Sequence, residues 1–224
     1  MSEFILHYFN IQARAEAAYL IALHGQVPHF ERKFITGFAE SDLKQQAPFG
    51  QVPLLEIVSS KTLLAQSIAI CQYLAELGKL LPSQQAANSS ENVALLDALA
   101  LQYVLGVDEF RSEAYRLHRN TTDETKVNDI KTWKEGRMLF FLGKFESFLE
   151  QSKKGFLVGN ELSWADLVLY DALYEQLFLF GDDFAQKYPA LNKLMKHVES
   201  LPNLSGYLGD ASKRPSPYIP KWRN

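Results

Sequence analysis

The chain has 224 residues, 47% of them hydrophobic, enough for one large domain or two small ones with a sizeable core. Its 23 basic and 26 acidic residues are mixed along the sequence and leave a net charge of −3, which argues against holding nucleic acid or an anionic membrane by bulk charge. The single cysteine, Cys71, excludes an intrachain disulfide and the multi-cysteine zinc patterns, and the five scattered histidines form no HExxH. With no signal-like or membrane-spanning apolar run, a cytoplasmic setting without a protein-built metal site is the expectation.

In chain order, "FILHYF" reads as a strand, "RAEAAYLIALHG" as an amphipathic helix closed by Gly25, and "HFERKFI" as a second strand. This order predicts a βαβ unit. After a polar, turn-prone segment, "QVPLLEIV" predicts a strand to Val58, Ser59 and Ser60 a turn, and Thr62 to Leu64 a short strand. A helix follows from about Ser67 to Leu77. "GKLLPSQQAANSSEN" has the composition of a connector, so the chain divides into an α/β domain over 1–80, a linker over 81–90 and a second domain over 91–224. In that second domain apolar residues recur at helical spacing, as in "VALLDALALQYVLGVDEF" and "RMLFFLGKFESFLEQ", which predicts an all-helical fold. The proline-rich, basic tail "ASKRPSPYIPKWRN" is expected to order only by packing across the protein surface.

Four features bear on chemistry or folding. Tyr8 is either a core aromatic ending the first strand or a hydroxyl at the mouth of a site. Pro53 opens an apolar strand, where proline is tolerated mainly at a start or edge. Its bond to Val52 is either an ordinary trans one or a cis one that turns the Val52 backbone outward to pair with an extended peptide. Gln66 and Ser67 stand at a helix start, where unpaired N–H groups attract an anion such as a carboxylate, although a plain N-cap accounts for Ser67 equally well. Ser163 and Asp166 in "SWAD" fit a capping box, a folding role; Cys71, inside the helix after the "QS" start, reads as packing.

Together, "YFNIQARAE", "PFGQVPLLEI", "LAQSIAICQYLA", "FLVGNELSWADLVLYDAL" and "LPNLSGYLGDASKRP" resemble the cytosolic glutathione transferases, and among them the sigma-like members that include glutathione-dependent prostaglandin D synthases. Five ordered blocks spanning nearly the whole chain are more specific than any one of them. The resemblance implies a thioredoxin-like α/β N-terminal domain that binds glutathione as cosubstrate and an all-α C-terminal domain that covers an electrophile. It implies a cis Val52–Pro53 bond with Val52 pairing to the cysteinyl backbone of glutathione, Gln66 and Ser67 at its γ-glutamyl end, and Lys44 and Gln51 near its glycyl carboxylate. Tyr8 then becomes the residue that stabilises the thiolate, with Arg14 adding positive potential behind the hydroxyl. Phe9, Arg14, Tyr103 and Val107 are expected to wall the electrophile pocket, and the tail around Tyr218 to form its lid. A homodimer is implied, with Phe49 a candidate contact or, alternatively, packed beneath its own loop.

Three places depart from that pattern. Sigma-like enzymes commonly carry a tryptophan shortly before the lysine of the glycyl site, where this chain has Glu40; glutathione then binds less tightly, or Phe38 takes part of the role. An aspartate that the neighbouring subunit often supplies to the γ-glutamyl ammonium is replaced by Leu101 and Gln102, of which Gln102 offers an uncharged acceptor. "IQA" before Arg14 stands where arginine and glycine are frequent. These departures keep two alternatives open: a glutathione-dependent isomerase of the prostaglandin D synthase type, and a non-catalytic structural or interaction protein of the same architecture.

Overall fold

The computed structural model describes residues 2–86, 92–180 and 183–217. Strands β1 (Phe4–Tyr8), β2 (Phe30–Phe34), β3 (Leu54–Ile57) and β4 (Thr62–Ala65) form one sheet in the order β2-β1-β3-β4, with β1 and β2 parallel and the other pairs antiparallel. Helix α1 (Ala13–His24) makes the crossover between β1 and β2 and packs on α3 (Ser67–Leu77), while a short α2 (Asp42–Gln46) precedes β3. The C-terminal ends of α1 and α3 meet at Gly25 and Gly78. A Cβ on Gly25 would lie 2.6 Å from the Gly78 Cα, so only glycine permits that approach.

The expected βαβ unit, hairpin and third helix are therefore present, and α3 has the predicted bounds. The connector expectation needs correction: Pro82–Gln85 forms one helical turn, α4, because proline is favourable at a first helical position. Residues 87–91 of that linker lie outside the described residues.

The second half contains α5 (Val93–Asn120), α6 (Lys126–Trp133), α7 (Leu139–Gln151), α8 (Trp164–Gln176), α9 (Phe184–Lys187), α10 (Pro189–Ser200) and α11 (Pro202–Leu208). Helix α8 is buried almost all round and packs on α5, α1 and α3, so it fastens the helical part to the sheet domain. Its start is fixed by Asp166, which accepts hydrogen bonds from the Ser163 N–H at 2.8 Å, the Ser163 hydroxyl at 2.9 Å and the Leu157 N–H at 2.8 Å. The Trp164 N–H in turn reaches the Leu80 carbonyl at 3.2 Å.

Removing the Asp166 carboxylate strips one cap, worth about 1 kcal/mol, and leaves two buried N–H groups short of an acceptor, each costing roughly 1–3 kcal/mol. Asp166→Ala is accordingly expected to lose about 3 kcal/mol in urea unfolding. A loss under about 1 kcal/mol would show that the cap is dispensable.

Among the described residues, no helix is long and apolar enough to cross a membrane. Residues 215 and 216 lie against the sheet domain: the Gln12 N–H donates to the Ser216 carbonyl at 2.9 Å and the Gln12 amide to the Pro215 carbonyl at 2.8 Å. The segment between Tyr8 and Arg14 is thereby held by the end of the chain.

Candidate active site

The Val52–Pro53 bond is cis. Pro53 sits just before the first residue of β3, where its missing N–H interrupts no ladder bond. Among the described residues the Val52 N–H and C=O make no backbone hydrogen bond, so both remain available to an added strand. Across the sheet, Gln66 adopts φ 71° immediately before α3, a left-handed conformation that costs a non-glycine residue roughly 1–3 kcal/mol and tends to persist where a site requires it.

These segments converge. A cavity of about 320 Å³ is lined by Phe49, Gln51, Val52, Pro53, Ala65, Gln66 and Ser67 from the sheet domain, by Arg14 from α1 and by Asp108 from α5. Arg14 donates to Asp108 Oδ1 at 2.7 Å and to the Ser112 hydroxyl at 2.8 Å, and its guanidinium stands over the Tyr115 ring at 5.3 Å. The positive start of α3 and the Arg14–Asp108 pair thus face one space, a setting that accepts groups of both charges.

Tyr8 ends β1 and is 6% exposed. Its ring packs against Phe9 and is not part of the cavity wall. Burial pushes the phenol above its ordinary value; the nearby Arg14 backbone amide and the charges of Arg14 and Arg111 pull against that shift, while Glu175 reinforces it. The outcome is a hydroxyl that keeps its proton at neutral pH and remains a donor. The Arg14 charge also acts on the phenol, but its guanidinium is committed to Asp108 and Ser112.

The remaining positions divide. Phe9 is 38% exposed and touches the rings of Tyr8 at 5.5 Å and Phe38 at 6.2 Å, so Phe38 is engaged with Phe9 next to the phenol. Lys44 and Glu40 are exposed on the neighbouring turns and do not line the cavity. Gln102 is exposed on α5 and Leu101 half-buried. Phe49 is 64% exposed, which removes the expectation that it packs beneath its own loop.

Two pocket-wall expectations are corrected. Tyr103 turns its ring to Phe148 on α7, 5.0 Å away, because it lies about 100° around α5 from Val104, which points at α3. Val107 is fully buried at a crevice of about 10 Å³ between α3 and α5, too small for a substrate. Tyr218 lies outside the described residues. Cys71 is buried beside that crevice, its thiol pushed up to about 12 by desolvation, consistent with packing.

Asp108 was absent from the sequence reading, as was a buried charge network behind Tyr8. In that network Arg111 pairs with Asp171 and, at 3.3 Å, with Glu175, which also accepts the Tyr115 hydroxyl at 2.8 Å. Glu16 on α1, fully buried, meets Arg32 at 2.9 Å and the Tyr207 hydroxyl at 2.8 Å. The signal for the first group was Asp171 and Glu175 one turn apart in an otherwise apolar helix, where buried carboxylates need a cation.

Comparison with known proteins agrees with this geometry. The family models for the glutathione S-transferase N-terminal and C-terminal domains match residues 5–76 and 108–211. The chain is 31% identical over 217 residues to glutathione S-transferase 1 of Ascaris suum, covering 96% of this chain and all of that one. It is 33% identical over 221 residues to hematopoietic prostaglandin D synthase of Gallus gallus, covering 98% and 100%. Its fold matches the crystal structure of the glutathione S-transferase from Ascaris lumbricoides with a TM-score of 0.80 at 28% identity, covering 96% of this chain and all of that one. The chain belongs to the glutathione S-transferase family, with the thioredoxin-like and helical parts characteristic of that fold.

Proposed function

We propose that this enzyme conjugates the glutathione thiolate to small hydrophobic electrophiles, with Tyr8 donating its hydroxyl to the sulfur. The observation that carries the reading is the meeting of the Val52 backbone, Gln51, Gln66, Ser67 and Arg14 around one cavity, with Arg14 also acting on the protonated Tyr8 phenol. Val52 pairs with the cysteinyl backbone; Gln66 and Ser67 take the γ-glutamyl end; Gln51 lies nearest the glycyl carboxylate, with Lys44 acting from α2. Phe9, beside Tyr8 and partly open to solvent, provides an apolar wall for the electrophile.

A free thiol with a pKa of about 8.5 is only a few per cent ionised at neutral pH. A charge-assisted hydrogen bond worth roughly 1.5–3 kcal/mol lowers that pKa by about one to two units. The reaction needs no metal. The same reading places the protein among the sigma-like enzymes, as a cytoplasmic homodimer with a detoxifying role, Phe49 as a dimer contact and Gln102 reaching the neighbouring subunit's glutathione. The domain division at 80 and 91 then separates the glutathione half from the electrophile half.

Calorimetry with glutathione tests the binding half of this reading. The wild type is expected to bind, and Ser67→Ala to bind about tenfold more weakly, the worth of one hydrogen bond to a charged group. A wild type that ignores glutathione would leave the structural-protein alternative standing. The similarity to the chicken prostaglandin D synthase supports a second reading, isomerisation of a lipid endoperoxide with glutathione as cofactor. Product analysis separates it from conjugation, since isomerisation consumes no thiol.

A further inference from the structure

The γ-glutamyl end of glutathione is an α-amino acid, so a pocket that takes it meets a carboxylate and an ammonium group side by side. The start of α3 and Ser67 answer the carboxylate. The ammonium needs acceptors, and a buried or half-buried cation without a counter-charge is costly. Leu101 and Gln102, where a neighbouring subunit's carboxylate was expected, offer no charge.

Asp108 is the one carboxylate among the described residues lining the cavity. It also shares the crevice behind the cavity with Ser67, which puts it beside the helix start that would hold the γ-glutamyl carboxylate. Its Oδ1 receives Arg14 at 2.7 Å, whereas Oδ2 receives no hydrogen bond among the described residues. The side chain is 32% exposed, so a ligand can reach it, and an ionised carboxylate has capacity for several donors.

We infer that Asp108 accepts the γ-glutamyl ammonium of glutathione bound to its own subunit, replacing within one chain the charge that Leu101 and Gln102 do not provide. This rests on the glutathione-binding reading above. Asp108 then couples occupancy of the γ-glutamyl end to Arg14, whose guanidinium it accepts at 2.7 Å. The rival role for Asp108 is purely to hold Arg14.

A binding cycle separates the two roles. Glutathione and its des-amino analogue, glutaryl-cysteinyl-glycine, are titrated into the wild type, Asp108→Asn and Ser112→Ala. Asparagine keeps the size of aspartate and an acceptor for Arg14 but removes the charge; the Ser112 variant loosens Arg14 and leaves Asp108 ionised.

The wild type is expected to prefer glutathione over the analogue by about tenfold, the scale of one charge-assisted hydrogen bond. Asp108→Asn is expected to bind both alike, and Ser112→Ala to keep the tenfold preference. If Asp108→Asn weakens both ligands equally and keeps the preference, Asp108 only holds Arg14 and the inference is overturned. If Asp108→Asn fails to fold, the other two proteins decide: equal wild-type affinity for both ligands, or a preference lost in Ser112→Ala, overturns it as well. A wild type that binds neither ligand overturns the functional reading itself, an outcome distinct from these.

Discussion

Tyr8→Phe is expected to conjugate chlorodinitrobenzene roughly five- to tenfold more slowly than the wild type at pH 6.5, and at or above the wild-type rate at pH 9. The arithmetic follows from the hydroxyl's role. If its hydrogen bond lowers the thiol pKa by about two units from 8.5, the bound thiol is about half ionised at pH 6.5 in the wild type and about 1% ionised in the variant. That roughly 50-fold difference in thiolate is partly offset, because a thiolate of lower pKa is a weaker nucleophile by about half a logarithmic unit per pKa unit. Above pH 8.5 both proteins hold mostly thiolate, so the ionisation advantage disappears and the more basic thiolate of the variant becomes the better nucleophile. Phenylalanine preserves the ring contact with Phe9, so folding should change little. A deficit of equal size at every pH would mean that the hydroxyl does something other than ionise the thiol.

The largest stability effect is expected at Arg111. Its guanidinium is 5% exposed between Asp171 and Glu175, both also buried. Burial pushes both carboxyl groups up and Arg111 pulls them back down. Arg111→Met keeps most of the volume but strands two buried carboxyls, a change that typically costs about 3–5 kcal/mol.

The cost should depend on pH in a definite direction. A carboxyl whose folded pKa stands above its unfolded value favours folding fully below the unfolded value, and that contribution is lost as pH rises through the folded one. Without Arg111 both folded values move further up, so urea unfolding should show the smaller deficit at pH 5, where the carboxyls can take protons, and the larger at pH 8. A deficit that is flat between the two, or larger at pH 5, would contradict the assigned charge network.

The elements that could be read from sequence were those whose patterns carry their own cause. The apolar run "FILHY", the glycine closing α1 and the "QS" start of α3 each specify local backbone, and α3 appears between the residues expected. Ser163 and Asp166 formed the predicted box because capping is decided within four residues. The positions that misled were decided across long sequence separations. Tyr103 and Val107 lie on a helix whose spacing is the same whether a residue faces a partner helix or a pocket, and only the placement of α3 and α7 around α5 separates the two. Asp108 was illegible for the same reason: its partner Arg14 lies 94 positions away. Glu16 looked like one charge on an amphipathic helix, yet it is buried against Arg32 and against Tyr207 from the far end of the chain.

The most direct test of the account is to titrate the ultraviolet absorbance of the bound glutathione thiolate against pH in the wild type and in Tyr8→Phe. The account predicts a thiol pKa about one to two units below that of the free thiol in the wild type, returning close to the free value in the variant. Bound glutathione with an unshifted pKa in the wild type, or a depressed pKa that survives in Tyr8→Phe, would contradict the assignment of Tyr8 as the thiolate's hydrogen-bond donor.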